Sequence, residues 1–307
     1  MDIFPIIIVP DEADLTEQLG TKEKYWFCRN EGMYLFKLGR PNTGENWSEK
    51  VACELNELLS IPHAYYEFAS LTWREGIGVF TPIIVPIGGR LILGNELLWK
   101  TDCNYPSQQL RKVQQHTLTR IEALMESPRA DVLLPLDWKC LPQIETAMDV
   151  FVGYLLLDAW IGNTDRHHEN WGFILTASGK VHLAPTFDHA SSLGCHLTDD
   201  VRLKRLRTHD QGFDVTSYVT KARSAFYPSP DSKKPFTCIE VFQYLAIKRK
   251  VAALAWLDRL KLIDTDHWHQ IFDRIPSEII SEIAKEFALQ MIEINRSRLL
   301  NLRDELM

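Results

Sequence analysis

The chain has 307 residues, 45% of them hydrophobic, with 34 Lys plus Arg against 41 Asp plus Glu and a net charge of −7. That length suits one large domain or two lobes, and the acidic balance argues against a general nucleic-acid binder. The six cysteines, at 28, 53, 103, 140, 195 and 238, include no Cys-x-x-Cys pair, which argues against a zinc or disulfide framework and fits a reducing, cytoplasmic setting.

The stretch 4–9 is apolar but has no basic flank or cleavage pattern, so Ile6–Val9 reads as a first strand rather than a leader. No apolar run approaches the length needed to cross a membrane. Residues 11–18 suit a short helix. Gly20-Thr21-Lys22-Glu23-Lys24 leads into a strand over 25–28, Asn30-Glu31-Gly32 signals a turn, and 33–38 is the return strand. Lys37 lies on an apolar strand, where lysine is depleted. It either faces solvent or meets an anionic partner. A helical pattern opens at Trp47 and runs through Val51, Leu55, Leu58 and Leu59, with Ser48 as a cap. Glu49 and Glu54 are both candidates to face Lys37. Residues 64–73 and 77–85 read as strands, the second limited by Pro82 and followed by a flexible Gly88-Gly89 segment.

The pattern then turns helical. Leu110, Val113, Leu118, Ile121 and Leu124 give a helical period over 106–125. Residues 146–161 are apolar on nearly every side, which predicts a buried helix stopped at Gly162-Asn163. Gly172–Leu175 and 181–184 read as two strands around a turn at 177–180. Arg202, Lys204, Arg205 and Arg207 lie in an acid-free stretch, 201–209, which reads as a solvated loop or as a dock for an acidic partner or polyanionic product. Residues 238–262, 268–275 and 278–306 read as helices.

The stretch that organises the chain is Gly162-Asn163-Thr164-Asp165-Arg166-His167-His168-Glu169-Asn170, with Asp188 following the hairpin. An Asp, an Asn five residues on and a second Asp soon after have the spacing of the phosphoryl-transfer loop of protein kinases. The first Asp orients or deprotonates an attacking hydroxyl; the Asn and second Asp hold Mg²⁺, a hard cation that takes oxygen ligands. The expected fold is α+β and two-lobed, like a protein kinase, with a β-rich lobe over 1–100 and a mostly helical lobe over 101–307. The end of the 77–85 strand, Ile84 and Val85, is where adenine contacts are expected.

The same stretch, with Leu183-Ala184-Pro185-Thr186-Phe187-Asp188-His189-Ala190-Ser191-Ser192-Leu193-Gly194, resembles the HipA-like kinases, serine/threonine kinases of the toxin–antitoxin type with a distant similarity to phosphatidylinositol kinases. Phe36-Lys37 looks like the family's phosphate-anchoring strand, and Ser48-Glu49, ahead of Ser60-Ile61-Pro62, looks like its partner helix, which favours Glu49. The resemblance implies Asp165 as catalytic base, Asn170 and Asp188 as Mg²⁺ ligands, and Lys37, paired with Glu49, on the α/β-phosphates of ATP. It implies that Gly20, Thr21, Lys22 and Lys24 cover the triphosphate, with Arg166 and His167 beside it; Arg166 also suits a bracing role and His167 a structural one. Thr21 stands near where many members autophosphorylate a serine. The implied partners are a protein substrate, with a translation component as one class, and an antitoxin. The chain is expected to lack the extra N-terminal subdomain through which HipA toxins meet their antitoxin.

Three other readings stay open at this point. His167, His168, His182, Asp188 and His189 would suit a transition-metal phosphohydrolase. A regulatory pseudokinase would bind nucleotide without transfer. A lipid kinase would share the loop but calls for a basic membrane-facing surface, which the acidic chain does not suggest.

Overall fold

The computed structural model describes residues 2–9, 15–16, 23–29 and 32–307. The first elements are β1 (Ile6–Val9), β2 (Leu15–Thr16), β3 (Lys24–Arg29), β4 (Gly32–Leu38), α1 (Glu45–Leu59), β5 (Glu67–Leu71) and β6 (Ile77–Pro82). The strands make a six-stranded sheet in the order β1-β5-β6-β4-β3-β2, with β1 parallel to β5 and the other pairs antiparallel. Leu15–Thr16 pairs with β3 as a strand, in place of the short helix expected over 11–18; the rest of that segment lies outside the described residues, apart from these two.

Strand alternation places Lys37. Phe36 packs with Val9, Phe27, Ala69, Leu71 and Phe80 in a closed cluster on one face. Lys37 and Leu35 therefore point to the other face, where they line a cleft with Lys24 and Trp26. At 7% exposure Lys37 is buried, so the solvent-facing alternative does not hold.

Helix α1 begins at Glu45, after Gly44, rather than at Ser48. Ser48 is inside the helix and buried, and its hydroxyl meets Ser192 Oγ at 2.8 Å instead of capping. Gly44 N also donates to Cys195 O, and Thr186 pairs across to Pro62 and Ala64. The helix is thus tied along its length to the segment that carries Asp188.

After residues 83–89 the chain forms β7 (Arg90–Leu93), α2 (Gly94–Thr101), α3 (Leu118–Met125), α4 (Ala147–Ile161), β8 (Gly172–Leu175) and β9 (Val181–Leu183). Strands β7, β8 and β9 form a second antiparallel sheet in that order. The helix expected over 106–125 is confined to Leu118–Met125. Lys112, at φ +58°, turns the backbone out of any helix there. Helix α2 was not expected: it is short and opens on Gly94-Asn95, weak helix formers.

Helix α4 is buried at every residue. A Thr146–Asp149 capping box starts it, and Gly162 in a left-handed conformation (φ +65°) ends it. Helices α7 (Cys238–Lys248), α8 (Lys250–Leu262) and α10 (Glu282–Leu306) pack around it, α9 (Thr265–Asp273) meets it through Trp160 and Trp268, and α5 (Asp199–Arg207) and α6 (Val215–Lys221) pack against α10. The basic stretch at 201–209 is mostly helix, not loop: Asp199 and Asp200 in the first turn and Lys204, Arg205 and Arg207 in the last suit the helix dipole. The segment 238–262 divides at Arg249 into two helices.

Candidate active site

The catalytic-loop segment leaves the end of α4 under tight control. Asn163 Nδ2 donates to Asp158 Oδ1 at 2.8 Å, while its Oδ1 accepts from Asp165 N at 3.1 Å. Arg166 is fully buried. Its Nε and Nη2 grip the Asp158 carboxylate at 2.8 and 2.7 Å, and its Nη1 donates to the carbonyls of Asn170 and Phe187 at 2.8 and 3.2 Å. Burial alone would pull the Arg166 pKa down, but the Asp158 carboxylate overrides it and holds it above the usual value. One guanidinium thus fixes helix, loop and the residue before Asp188. This corrects the expectation of Arg166 beside the nucleotide: it braces the loop from behind.

A cleft of about 740 Å³ opens between the two sheets. Lys37, Asp165, Asn170 and Asp188 all line it, together with Lys24, Ile84, Val85 and His167. Gly20, Thr21 and Lys22 lie outside the described residues. Asn170 Nδ2 donates to Asp165 O at 2.8 Å, which commits the amide nitrogen to the loop, so that the side-chain oxygen is the atom that could hold a cation. Asp188 adopts a left-handed backbone, φ +58°, a strained state of the kind found at functional sites. Its carboxylate lies 3.7 Å from Lys37 Nζ.

The expected direct Lys37–Glu49 pair is replaced. Among the described residues, the ion-pair partner of Lys37 is Asp188. Glu49, 1% exposed, accepts instead from the backbone N–H of His189 at 2.7 Å. It acts on the residue after Asp188 rather than on the lysine. The two functions are joined by Tyr66, which the sequence reading did not single out. Tyr66 Oη accepts from Lys37 Nζ and from Asp188 N, each at 3.3 Å. Burial, with the carboxylates of Glu49 and Asp188, pushes its pKa well up. No local pattern marks it: Tyr65 and Tyr66 precede β5, and only the fold leaves Tyr65 53% exposed and Tyr66 buried. A second missed residue is Ser191, whose hydroxyl donates to Asp165 Oδ2 at 3.4 Å.

The histidines do not converge. His168 Nδ1 meets Tyr105 Oη at 2.7 Å, His182 Nδ1 donates to Leu134 O at 2.7 Å, and His189 Nε2 meets Thr186 Oγ1 at 2.9 Å. His167 Nδ1 accepts from Glu169 N at 3.1 Å, a loop-stabilising role. The donors that do converge are oxygens, from Asn170 and Asp188, which suit Mg²⁺ better than a softer metal. Lys37 brings an ammonium to the cleft that could meet an anionic ligand, and Ile84, Val85, Leu91 and Leu93 give it an apolar wall.

The basic helix is largely engaged within the protein. Arg202 bonds Asp199 and the Gly194 carbonyl, Arg205 bonds Phe213 O and stacks on its ring, and Arg207 pairs with Glu286.

No family model matches the sequence. The chain is 28% identical over 173 residues to the serine/threonine-protein kinase CtkA of Helicobacter pylori, covering 56% of this chain and 50% of that protein. It thus spans about half the length of the curated relative it matches. The crystal structure of the H. pylori proinflammatory kinase CtkA superposes with a TM-score of 0.75 at 21% identity, over 98% of both chains. HipA from the Shewanella oneidensis MR-1 toxin–antitoxin complex with HipB and operator DNA gives a TM-score of 0.58 at 12% identity, over 99% of this chain and 69% of that one. The chain is thus similar in part of its sequence to a serine/threonine-protein kinase, and it shares the two-lobed kinase fold of CtkA and HipA.

Proposed function

We propose that the chain is a serine/threonine protein kinase that transfers the γ-phosphoryl group of ATP to a protein hydroxyl. The observation that carries this reading is the convergence of Lys37, Asp165, Asn170 and Asp188 on one cleft. In it, Asp165 accepts the proton of the attacking hydroxyl and orients its oxygen. Ser191 keeps one Asp165 oxygen occupied, so the other faces the acceptor. Lys37 draws on the α/β-phosphates. Asn170 and Asp188 hold Mg²⁺, which when bound neutralises phosphate charge. Ile84 and Val85 meet the adenine end, and Lys24 adds a second cation on the triphosphate side.

The sequence likeness to the serine/threonine-protein kinase CtkA supports a protein acceptor, and the fold likeness to HipA of a toxin–antitoxin complex suggests a toxin-type regulatory role with an antitoxin protein as a further partner. Among the described residues no helix is long and apolar enough to cross a membrane. The test is intact mass after incubation with Mg-ATP, for wild type and Asp188→Asn, followed by labelling of a cell lysate with the same pair. Phosphoryl gain in the chain or in lysate proteins with wild type alone supports the reading. Nucleotide binding without any transfer would support a pseudokinase, and transfer to inositol-lipid vesicles alone a lipid kinase.

A further inference from the structure

A second concavity, of about 730 Å³, lies where α3, the segment 126–137, the start of α4 and β9 meet. It shares no lining residue with the cleft. Its floor is apolar: Met125 and Met148 are buried, and Val132, Leu134 and Leu136 are half-buried. Its rim is acidic. Asp131, Asp137 and Glu145 are exposed and have no salt-bridge partner among the described residues; Glu126, also on the rim, pairs with Arg249. No lysine or arginine lines it; Arg129 and Lys139, close in sequence, are outside it.

The groove is built in advance of any partner. Leu133 N donates to Val181 O and Leu183 N to Leu133 O, both at 2.9 Å, and His182 Nδ1 holds Leu134 O. These bonds pin the apolar stretch to β9. From His182 on the groove wall, six residues lead to Asp188 in the cleft, a span of at most about 20 Å even if fully extended.

We propose that this groove docks an extended segment of a partner protein in which basic residues flank apolar ones. The apolar floor accepts the side chains of one face of such a segment, and the three exposed carboxylates complement its cations and steer its approach. The same carboxylates repel nucleic acid and anionic bilayers, which leaves a cationic polypeptide as the fitting occupant. The proposal does not depend on phosphoryl transfer, because binding is read directly.

Fluorescence anisotropy of the full chain with three short synthetic peptides tests it: one of Lys and Leu, one of Lys and Ser, one of Glu and Leu. The Lys/Leu peptide should bind tightest, and Asp131→Lys/Asp137→Lys should weaken it about tenfold or more. Leu136→Ser should weaken it as well. Hydrogen exchange on the Lys/Leu complex should slow at 131–137 and 145–148. Equal binding of the Lys/Ser or Glu/Leu peptide, no binding of any, unchanged binding by the variants, or protection confined to the cleft would each overturn the proposal. Both aspartates are exposed but have left-handed backbones (φ +41° and +56°), so Asp131→Asn/Asp137→Asn, which keeps that backbone preference and removes the charge, is run beside the Lys pair and should weaken binding as well.

Discussion

The backbone N–H of Asp188 donates to the hydroxyl oxygen of Tyr66 at 3.3 Å, from a segment 122 positions further along the chain. The same oxygen accepts from Lys37 Nζ, so one buried phenol sets the spacing between the lysine and the metal-ligand candidate. Tyr66→Phe removes that acceptor and nothing else. Mg-ATP affinity should fall about two- to tenfold, the worth of roughly 0.5–1.5 kcal/mol for a hydrogen bond. Calorimetric titration with Mg-ATP checks this. Unchanged affinity would mean that Lys37 and Asp188 keep their positions without it.

Arg166 discriminates bracing from ligand contact. Arg166→Ala leaves the buried Asp158 carboxylate unpaired and should cost about 3–5 kcal/mol of stability. Arg166→Lys should recover only part, because an ammonium cannot reproduce the two-pronged grip while reaching two carbonyls. Urea denaturation reads both. A variant with full stability but lost nucleotide affinity would return Arg166 to the phosphates.

Ser191→Ala should lower kcat about three- to tenfold, a loss of up to roughly 1.4 kcal/mol in the orientation of Asp165. KM for Mg-ATP should not move, since the hydroxyl faces the base and not Lys37, Asn170 or Asp188. Steady-state kinetics on any accepted protein substrate separate the two constants. A rise in KM with kcat intact would contradict the assignment.

The folded state should be acid-sensitive through two buried histidines, His116 behind the catalytic loop and His168 within it. Burial pulls the pKa of His116 down to about 3 and that of His168 to about 4, both below the ordinary 6.5. His116 Nε2 accepts from the Trp171 indole at 3.1 Å, a bond that protonation removes. The unfolded chain takes up these protons near the ordinary value and the folded chain only later. Their contribution to stability is therefore full above about pH 6.5 and declines as pH falls toward 4 and then 3. Side-chain nitrogen NMR at pH 5.5 should find both rings neutral; a charged His116 there would contradict the packing.

Much of this was legible in the sequence because local rules act without long-range help. Helix α4 announced itself by an apolar surface on nearly all sides and a Gly stop. The β3–β4 pair and the β8–β9 hairpin followed from turn residues and strand composition. The Asp165, Asn170 and Asp188 spacing carried the cleft, and alternation on β4 sent Lys37 into it. What failed depended on tertiary partners. Glu49 was read as facing Lys37, yet the buried N–H of His189 captures it. Ser48 looked like a cap until Ser192 claimed its hydroxyl. Arg166 stood between bracing the loop and meeting phosphate because Asp158, eight residues earlier on α4, carries no sign in the sequence that it turns toward the loop. Tyr66 and Ser191 are ordinary residues whose importance exists only in three dimensions.

The most direct test of the account measures Mg-ATP binding and γ-phosphoryl transfer on the same samples of wild type and Asp165→Ala. The account predicts that both bind Mg-ATP alike, while transfer to the chain or to lysate proteins falls about 100-fold or more in the variant. Full transfer by Asp165→Ala, or none by the wild type on any protein offered, would contradict it.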